Sequence, residues 1–482
     1  MHLTTAQMDR AVGAVLGMAT GDALGMGYEF GPAVPTESVV LKRNPHLPLF
    51  EPGEWTDDTT MAVPILEALA AGKDLLDPTT LDYVVGRWFD WLDDGPKDIG
   101  VSVSFVLGEA RSRTAAGSAE SARNRYASGA LSGGNGSLMR TTPVVLGYLD
   151  DPTSLTLAAR TYSDLTHADP DAADACALWN HAQRHAILHG DLDVTVGLEQ
   201  IPAQRRGRWR RLLTEASQGE PADFAGDNGW VVAALQCAWA AISSTPRSGP
   251  EHFGLAVRAA VAAGHDTDTV AAIAGGLLGS RWGVSAIPLD WRRRLFGWPG
   301  VTGQDLVRAT AAAASGSPWP DRFYAHLGRS RDPVVLPHDE GVFIGDVTGL
   351  RRLPHEVDAV VSLCRIGRLE SPRYVKPENH VQVWLNDSAK IEENLNLDLV
   401  VAQTLEQIET LRAEGRTVYL HCVQGLSRTP FIAAAYGARV TGRSSAQVLD
   451  EVLSVLPGAD PNPRFRAFLA GDSVPGRGST GS

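Results

Sequence analysis

The sequence has few cysteines and no long hydrophobic run. Only four cysteines occur among 482 residues, at positions 176, 237, 364 and 422, and no pair of them has the spacing of a metal site. So few thiols exclude a disulfide scaffold and indicate reduced cysteines, as in a cytoplasmic protein. The longest apolar stretch, Val231 to Ile242, is shorter than the ~18 residues that a membrane-spanning helix needs. We therefore expect a cytoplasmic location and no membrane association.

Positive charge is also in deficit. Lysine and arginine total 43 against 56 aspartates and glutamates, so the net charge is -13. This balance disfavours nucleic acid as a general partner, although modified nucleic-acid ends stay open as substrates. Neither glycine (49) nor proline (29) is abundant enough for a fibrous protein, and 44% hydrophobic residues exclude a disordered chain. The length allows two or three domains with sizeable cores.

Two compositional regions follow each other along the chain. Residues 5–315 are rich in alanine with helical periodicity, for example at 61–71, 228–242 and 253–279, which predicts an all-α domain. From about 334 onward, short β-branched runs at 342–344, 359–363, 381–384 and 418–420, with a helical stretch at 397–411, predict an α/β domain. We expect a multidomain protein with an all-α domain at 1–328, an α/β domain at 329–470 and a disordered tail at 471–482.

The segment HCVQGLSRTP (421–430) carries the clearest chemical pattern of the second region. It follows a predicted strand and precedes an apolar stretch typical of a helix. The backbone N–H groups of such a loop can surround a phosphate, Gly425 permits the tight turn, and Arg428 can bind two phosphate oxygens. The same positive surroundings favour the thiolate of Cys422, which makes it a candidate nucleophile, with Thr429 as a hydrogen-bond partner.

A phosphocysteine intermediate requires an acid that protonates the leaving oxygen. Asp387, which follows a predicted strand, is the best candidate, whereas Asp398 lies inside a predicted helix and is the weaker one. The alternative explanation is a buried cysteine that precedes an arginine by chance. The strand, the glycine, the flanking hydroxyl residues and the helix together favour the phosphate-binding loop.

HCVQGLSRTP resembles the active-site loop of the cysteine-dependent protein tyrosine and dual-specificity phosphatases. The similarity extends over about residues 335–470, through GVFIGDVTGLRRL, DAVVSLCR and NPRFRAFL. The resemblance implies an α/β cysteine-phosphatase domain with Cys422 as nucleophile, Arg428 as phosphate ligand and Asp387 as general acid. It does not imply a substrate, which stays open among phosphotyrosine, phosphoserine or phosphothreonine, nucleotides and sugar phosphates.

Two acidic segments, WTDDTT (55–60) and GHDTDT (264–269), each precede an apolar helical stretch in the first region. Helix capping explains either segment alone. Two such segments brought together would repel each other unless cations bridge them, and oxygen ligands select Mg²⁺ or Mn²⁺. His265 is expected to support the cluster rather than to bind the ions. The candidate ligands share carboxylate or hydroxyl oxygens: Thr56, Asp57, Asp58, Asp266, Asp268 and Thr269.

Two further segments of the first region are unusual. GAVLGMATGDALGMGYEF combines small residues, which allow close helix packing, with Asp22 and Glu29. SGGNGSLMR (132–140) is a glycine-rich loop whose backbone amides can hold a pyrophosphate or a ribose, although simple loop flexibility is the alternative.

Taken in order, GDALG with its following glutamate, WTDDT, GNGSLMR, Thr166–His167 and HDTDT resemble the ADP-ribosylglycohydrolase family over about residues 8–320. The resemblance implies an all-α fold with two Mg²⁺ or Mn²⁺ ions held by the six candidate ligands. It implies that Glu29 lies near the metals and the substrate. It also implies that the substrate contacts a further set of residues: Asp98, Asn135, Gly136, Ser137 and His167.

The two resemblances together predict a bifunctional hydrolase. One half would remove ADP-ribose from a modified target through an N-glycosidic or O-glycosidic linkage, and the other would hydrolyse a phosphate ester. The expected partners are ADP-ribosylated and phosphorylated substrates, either proteins or small molecules. The alternative is that the first half only binds ADP-ribosyl groups, or is purely structural, and serves a phosphatase.

Overall fold

The structure is a computed structural model that describes residues 2–324 and 332–471. The chain divides into two compact units: unit 1 comprises Met1–Ile287 and Arg294–Pro318, and unit 2 comprises Pro288–Arg293 and Trp319–Ser482. The predicted domain boundary at residue 328 lies outside the described residues, as does the predicted tail beyond Gly471. Both stay predictions.

Helices dominate the described chain up to residue 318, where a two-stranded ribbon, β1 (Phe296–Gly297) and β2 (Val301–Thr302), accompanies them. The helices are α1 (Thr5–Met26), α2 (Asp57–Ala70), α3 (Pro78–Asp93), α4 (Val101–Gly108), α5 (Ala115–Ala127), α6 (Val144–Gly147), α7 (Pro152–Asp164), α8 (Pro170–His189), α9 (Ala203–Gln218), α10 (Ala222–Ala225), α11 (Val231–Ser244), α12 (His252–Ala262), α13 (Thr267–Trp282), α14 (Leu289–Arg293) and α15 (Gly303–Ser315).

The closest helix packing in unit 1 joins α1 to α13. Glycines recur at every fourth position of α1 and therefore lie on one face of the helix. A Cβ atom on any of them would lie closer than 3.0 Å to backbone atoms of α13 or of the turn after it, a separation that real Cβ atoms essentially never show. The two helices consequently pack backbone against backbone. The glycines are Gly13, Gly17, Gly21 and Gly25.

The helical stretch predicted at 253–279 is divided into α12 and α13. Gly264 and His265 both adopt a positive φ, +87° and +64°, and this left-handed turn ends one helix before the next begins. The backbone of His265 pairs with Gly31 across an isolated bridge. The turn therefore fixes where the acidic start of α13 lies.

Unit 2 contains a five-stranded sheet in the order β3-β4-β7-β5-β6, antiparallel between β3 and β4 and parallel elsewhere. The strand predicted at 381–384 corresponds to β6, which begins one residue earlier and ends two residues earlier. The elements are β3 (Val334–Leu336), β4 (Asp339–Asp346), β5 (Ala359–Ser362), β6 (His380–Gln382), α16 (Leu397–Ala413), β7 (Val418–Cys422), α17 (Arg428–Thr441), α18 (Ser445–Val455) and α19 (Pro463–Ala470).

The central strand β7 delivers the cysteine loop to one edge of this sheet. Its neighbours are parallel to it, with Asp346 opposite Cys422 and Ser362 opposite His421. Ligands of parallel sheets bind beyond the carboxyl ends of the strands, where β7 ends at Cys422. Among the described residues, no helix is both long enough and apolar enough to cross a membrane.

Candidate active sites

Helices α2 and α13 begin next to each other, and their first turns carry most of the acidic cluster of unit 1. The Thr56 hydroxyl oxygen is 3.2 Å from a carboxylate oxygen of Asp268, and the Thr269 hydroxyl oxygen is 3.5 Å from Asp58. Asp57, Asp58 and Asp268 all lie in first turns, where unpaired N–H groups favour negative charge. The fold thus brings the two predicted acidic segments together.

Asp22 of α1 holds the start of α2 in place. One carboxylate oxygen accepts the backbone N–H of Thr56, and the other accepts the backbone N–H of Thr59, both at 2.9 Å. The hydroxyl groups of Thr56 and Thr59 donate to the same two oxygens, at 2.9 and 2.6 Å respectively. The sequence marks Asp22 as unusual but gives it no role, because its partners appear only when α1 and α2 are packed.

Two groups of three carboxylates meet at Asp268. Asp22, Asp58 and Asp268 each place an oxygen within 4.8 Å of the others, and so do Glu29, Asp266 and Asp268. Buried oxygens in both groups, Glu29 Oε2 and Asp58 Oδ1, have no hydrogen-bond partner. Buried polar atoms are almost always paired, so these oxygens indicate that a cation or an atom of the substrate belongs beside them.

Burial without a counter-charge makes these carboxylates hard to ionise. Burial, reinforced by the charge of Asp98, raises the pKa of Asp57 to about 8. Burial and the charges of Asp22 and Asp268 raise the pKa of Asp58 well above its usual value, and burial also raises that of Glu29. A bound cation would restore the ionised forms. The donors are carboxylate and hydroxyl oxygens, which fit a hard divalent ion.

A cavity of about 420 Å³ opens beside the carboxylates. It collects most of the residues that the sequence predicted for the metal and the substrate. Its wall also includes Phe30, residues 99–103 and Met139. The predicted residues that line it are Glu29, Asp57, Asp98, Asn135, Gly136, His167, Asp266, Asp268 and Thr269.

The glycine-rich loop is tied directly to the acidic cluster. The side-chain amide of Asn135 donates to Asp266 Oδ2 and to the carbonyl of Asn228, both at 2.8 Å. A Cβ atom on Gly136 would lie 3.0 Å from the ring of His167, so the absence of a side chain lets the loop lie against this ring. The loop therefore forms one wall of the cavity.

His167 is buried in that wall as a neutral ring. Burial and the charge of Arg140 lower its pKa to about 3. Its Nδ1 lies 2.8 Å from the hydroxyl of Thr166, which also accepts a hydrogen bond from Arg140 at 2.6 Å. Because the Thr166 hydroxyl already accepts from Arg140, we assign its own proton to the contact with Nδ1, a tautomer in which Nε2 carries the proton and can donate to a ligand.

Some predicted residues lie outside the cavity wall. Asp58 is buried with the other carboxylates, and Thr56 is held by Asp22. The hydroxyl of Ser137 accepts a hydrogen bond from Ser163 at 2.9 Å, so it anchors the loop from within. The side chain of His265 is exposed, and its backbone makes the turn before α13.

In unit 2 the cysteine loop joins the end of β7 to the start of α17. Cys422 is buried, and Gly425 has a φ of +67° that favours glycine. The Nη1 group of Arg428 donates to the carbonyls of Leu363 and Leu385 at 2.8 and 3.1 Å. Its buried Nε has no hydrogen-bond partner. The arginine is thus anchored at one end and retains a donor for an anion.

The loop also holds Asp387. The hydroxyl of Ser427 donates to Asp387 Oδ1 at 2.6 Å, and the side-chain amide of Asn462 donates to the same oxygen at 3.2 Å. Asp387 Oδ2 lies 3.7 Å from the Nε of Arg428. The sequence did not single out Asn462, which comes from the start of α19, 75 residues away along the chain.

A cavity of about 230 Å³ lies in front of Arg428 and Asp387, with Tyr324, Arg365 and Trp384 in its wall. Asp398 is exposed in the first turn of α16 and does not line it.

The remaining residues of the loop are held from behind. The hydroxyl of Thr429 donates to the carbonyl of Gly345 at 3.1 Å. His421 is buried beside the Ser362 hydroxyl, 2.7 Å from its Nε2, and burial lowers the histidine pKa to about 4. A neutral histidine therefore connects the end of β7, where the loop begins, to Ser362 of β5.

The helical fold and the acidic cavity define a member of a known class of hydrolases. The family model of ADP-ribosylglycohydrolase matches residues 3–320, and the chain belongs to this family. It is 32% identical over 295 residues to the ADP-ribosylarginine hydrolase Tri1 of Pseudomonas putida (strain GB-1), which covers 59% of this chain and 73% of that protein. It is 28% identical over 297 residues to the ADP-ribosyl-dinitrogen reductase glycohydrolase of Rhodospirillum rubrum, covering 60% of this chain and 90% of that protein.

A much shorter similarity concerns phosphatases. The chain is 39% identical over 62 residues to dual specificity protein phosphatase 15 of Mus musculus. This match covers 13% of this chain and 26% of the mouse protein, so it spans about a quarter of that relative.

Proposed function

We propose that the chain is a bifunctional hydrolase. Unit 1 removes ADP-ribose from a modified target in a reaction that depends on divalent cations, and unit 2 hydrolyses a phosphate ester through a phosphocysteine. The observation that carries the first activity is the single cavity that nine of the predicted residues line, next to two buried carboxylate oxygens without partners.

The candidate ligands in unit 1 fit two Mg²⁺ or Mn²⁺ ions. When bound, such ions supply the positive charge that keeps the carboxylates ionised and orients the ribose hydroxyls. The ligands would be Thr56, Asp57, Asp58, Asp266, Asp268 and Thr269.

The other residues of the cavity bind the substrate and accept a proton from the attacking water. The amides of the loop around Asn135 and Gly136 hold the pyrophosphate, and the Nε2–H of His167 donates to the distal ribose or to a phosphate oxygen. Glu29, whose Oε2 is buried without a hydrogen-bond partner, takes a proton from the water that attacks C1 of the ribose. The bond from C1 to the target's nitrogen or oxygen breaks, and the departing group takes that proton from Glu29. Asp98, which also lines the cavity, contacts the ribose.

We propose an arginine-linked target for unit 1. The relative at 32% identity carries the name ADP-ribosylarginine hydrolase. The cavity wall includes Asp98, a carboxylate outside the candidate metal ligands, so it suits a cationic leaving group.

The test uses purified protein with arginine-linked and serine-linked ADP-ribosyl peptides. Release of ADP-ribose is followed by mass spectrometry with Mg²⁺, with Mn²⁺ and with EDTA. We expect release from the arginine peptide that EDTA abolishes and that the double variant Asp57→Ala/Asp58→Ala loses. The matched control is Glu215→Gln, which removes a carboxylate from the exposed face of α9.

Each other outcome has a definite meaning. Release from the serine peptide alone would contradict the proposed linkage but retain the hydrolase. Binding of ADP-ribose without any turnover, despite bound metal, would favour the binding-module alternative.

The proposed chemistry of unit 2 follows from the loop of β7. The Sγ of Cys422 attacks phosphorus and the ester oxygen leaves, protonated by Asp387; water then attacks the phosphocysteine, Asp387 takes the water proton, and the thiolate is released with phosphate. Arg428 binds the phosphate oxygens through its Nε, which makes no hydrogen bond within the protein. The contact between Ser427 and Asp387 supports this assignment because it couples the acid to the loop.

Phosphate release from para-nitrophenyl phosphate, phosphotyrosine and phosphoserine peptides tests this second activity. We expect turnover that Cys422→Ser abolishes and that Cys237→Ser, a buried cysteine of unit 1, retains. Equal activity of the Cys422 variant and the wild type would remove the phosphatase from the proposal.

A further inference from the structure

A second chamber, of about 380 Å³, adjoins the cavity of unit 1. Asp57 and Asp98 line both spaces. The second chamber is far more aromatic than the first, and nothing in the roles assigned above uses its rings. These rings belong to Phe50, Trp55, Trp91, Phe296 and Trp298.

The charge of this aromatic chamber is negative. Among the described residues that line it, four carry carboxylates and one, Lys97, carries an ammonium group. That ammonium is already paired with Glu54, 2.6 Å from its Oε1. Asp57 is a candidate cation ligand, so the remaining negative charge is that of Asp94 and Asp98, which would repel a phosphate or pyrophosphate and attract a cation.

Two of the five rings of the chamber already lie against cations of the protein itself. The guanidinium of Arg87, which does not line the chamber, is 4.8 Å from the centre of a Trp298 ring. The ammonium of Lys97 is 5.2 Å from the centre of the Phe50 ring. Trp298 is held in place because its Nε1 donates to Asp94 Oδ2 at 2.9 Å. Aromatic faces bind planar guanidinium groups by stacking and by the attraction of a cation to the ring.

We propose that the aromatic chamber binds the side chain of the modified residue, an arginine whose guanidinium carries the ADP-ribose. The inference deepens the proposed function of unit 1 and rests on it. The ADP-ribosyl part occupies the first cavity, and the bond to be cut lies at the border formed by Asp57 and Asp98. Trp298 is then a residue that determines specificity for the leaving group.

Adenine is the competing occupant because it also stacks on aromatic rings. Its route into the chamber would carry the attached pyrophosphate past the carboxylate of Asp98. The glycine-rich loop, which suits the pyrophosphate, lies in the other cavity. The charge and the position of the border therefore favour the guanidinium.

The experiment compares Trp298→Ala with Trp298→Phe, which keeps an aromatic face. Hydrolysis of ADP-ribosyl-agmatine gives KM and kcat, and calorimetry gives the Kd of free ADP-ribose and of free agmatine. We expect Trp298→Ala to raise the KM for ADP-ribosyl-agmatine and the Kd for agmatine about tenfold, with an unchanged Kd for ADP-ribose. Trp298→Phe should stay within about threefold of the wild type in all three.

Two results would overturn the inference. A weaker Kd for ADP-ribose in Trp298→Ala would assign the chamber to adenine, and an unchanged Kd for agmatine would leave the guanidinium with no contact there. The agmatine measurement needs no turnover. A wild type that binds agmatine but hydrolyses no arginine-linked substrate would thus contradict the proposed function while the chamber assignment stands.

Discussion

Replacing Asp57 by asparagine should stabilise the metal-free protein. Asp57 is buried, and burial together with Asp98 raises its pKa from 3.8 to about 8. Between these two pH values the folded protein retains a proton that the unfolded chain has released. The stability that this carboxyl contributes is therefore complete below about pH 4 and is lost as the pH rises through 8.

The size of the effect follows from the same two values. Each pH unit between them costs about 1.4 kcal/mol, and roughly three units separate 3.8 from pH 7. Asparagine cannot ionise, and its side-chain oxygen can still accept the N–H of Gly100, which is 3.1 Å from Asp57 Oδ2. Asp57→Asn should therefore raise the free energy of unfolding at pH 7 by up to about 4 kcal/mol, or roughly 10 °C in Tm.

Thermal unfolding in EDTA at pH 4.5 and pH 7 measures this difference. We expect a large gain in Tm at pH 7 and a gain of about a quarter of that size at pH 4.5, which corresponds to about 1 kcal/mol. With Mg²⁺ the Tm advantage of the variant should shrink or change sign, because the wild type gains more from the cation than a variant that lacks one ligand. Glu215→Gln, an exposed change of the same charge, should alter Tm very little at either pH.

The reasoning would be refuted by an Asp57→Asn variant that is less stable than the wild type in EDTA at pH 7. A gain of equal size at both pH values would also contradict it, because the effect would then not arise from ionisation.

Three further outcomes follow from packing and protonation. Gly21→Ala should lower the free energy of unfolding in urea by roughly 1–3 kcal/mol or more through overpacking, whereas Gly86→Ala, where the new Cβ meets nothing within 4 Å, should raise it by up to about 1 kcal/mol. Asp387→Asn should lower kcat for a phosphotyrosine peptide by about 100-fold without a comparable change in KM; an unchanged kcat would contradict its role as the acid. Burial lowers the pKa of His421 from 6.5 to about 4, so the neutral histidine contributes fully to the free energy of unfolding above pH 6.5. About 3 kcal/mol of that contribution is lost as the pH falls toward 4. In His421→Gln the free energy of unfolding should therefore depend less steeply on pH between 6.5 and 4.

The sequence predicted those features that depend on neighbours along the chain. Helices α2 and α13 begin at the two acidic segments because threonine and aspartate favour helix starts. The strand, loop and helix around Cys422 follow for the same reason, since β-branched residues, Gly425 and an apolar stretch occur in order. That the two acidic segments share one site was expected from their similarity and from the family resemblance, and a bridging cation was expected because carboxylates brought together repel one another.

Features that depend on distant segments were not predictable in this way. Asp22 supports α2 through Thr56 and Thr59, which lie 34 and 37 residues later, and only the packing of α1 makes these bonds. Asn462 reaches Asp387 across 75 residues. The aromatic chamber draws its rings from three separate segments, and sequence reasoning assigns most tryptophans to the core.

The glycine face of α1 has a consequence for how this protein tolerates change. Most interfaces absorb a substitution because side chains can rotate and repack, but two backbones in direct contact have no such freedom. The last glycine of the face, Gly25, lies against Asp268, so the separation of α1 from α13 also sets the spacing of the carboxylates. In a saturation mutagenesis screen scored by ADP-ribose release, these glycines should therefore be as intolerant as the acidic residues, although a glycine has no side chain with which to touch a substrate.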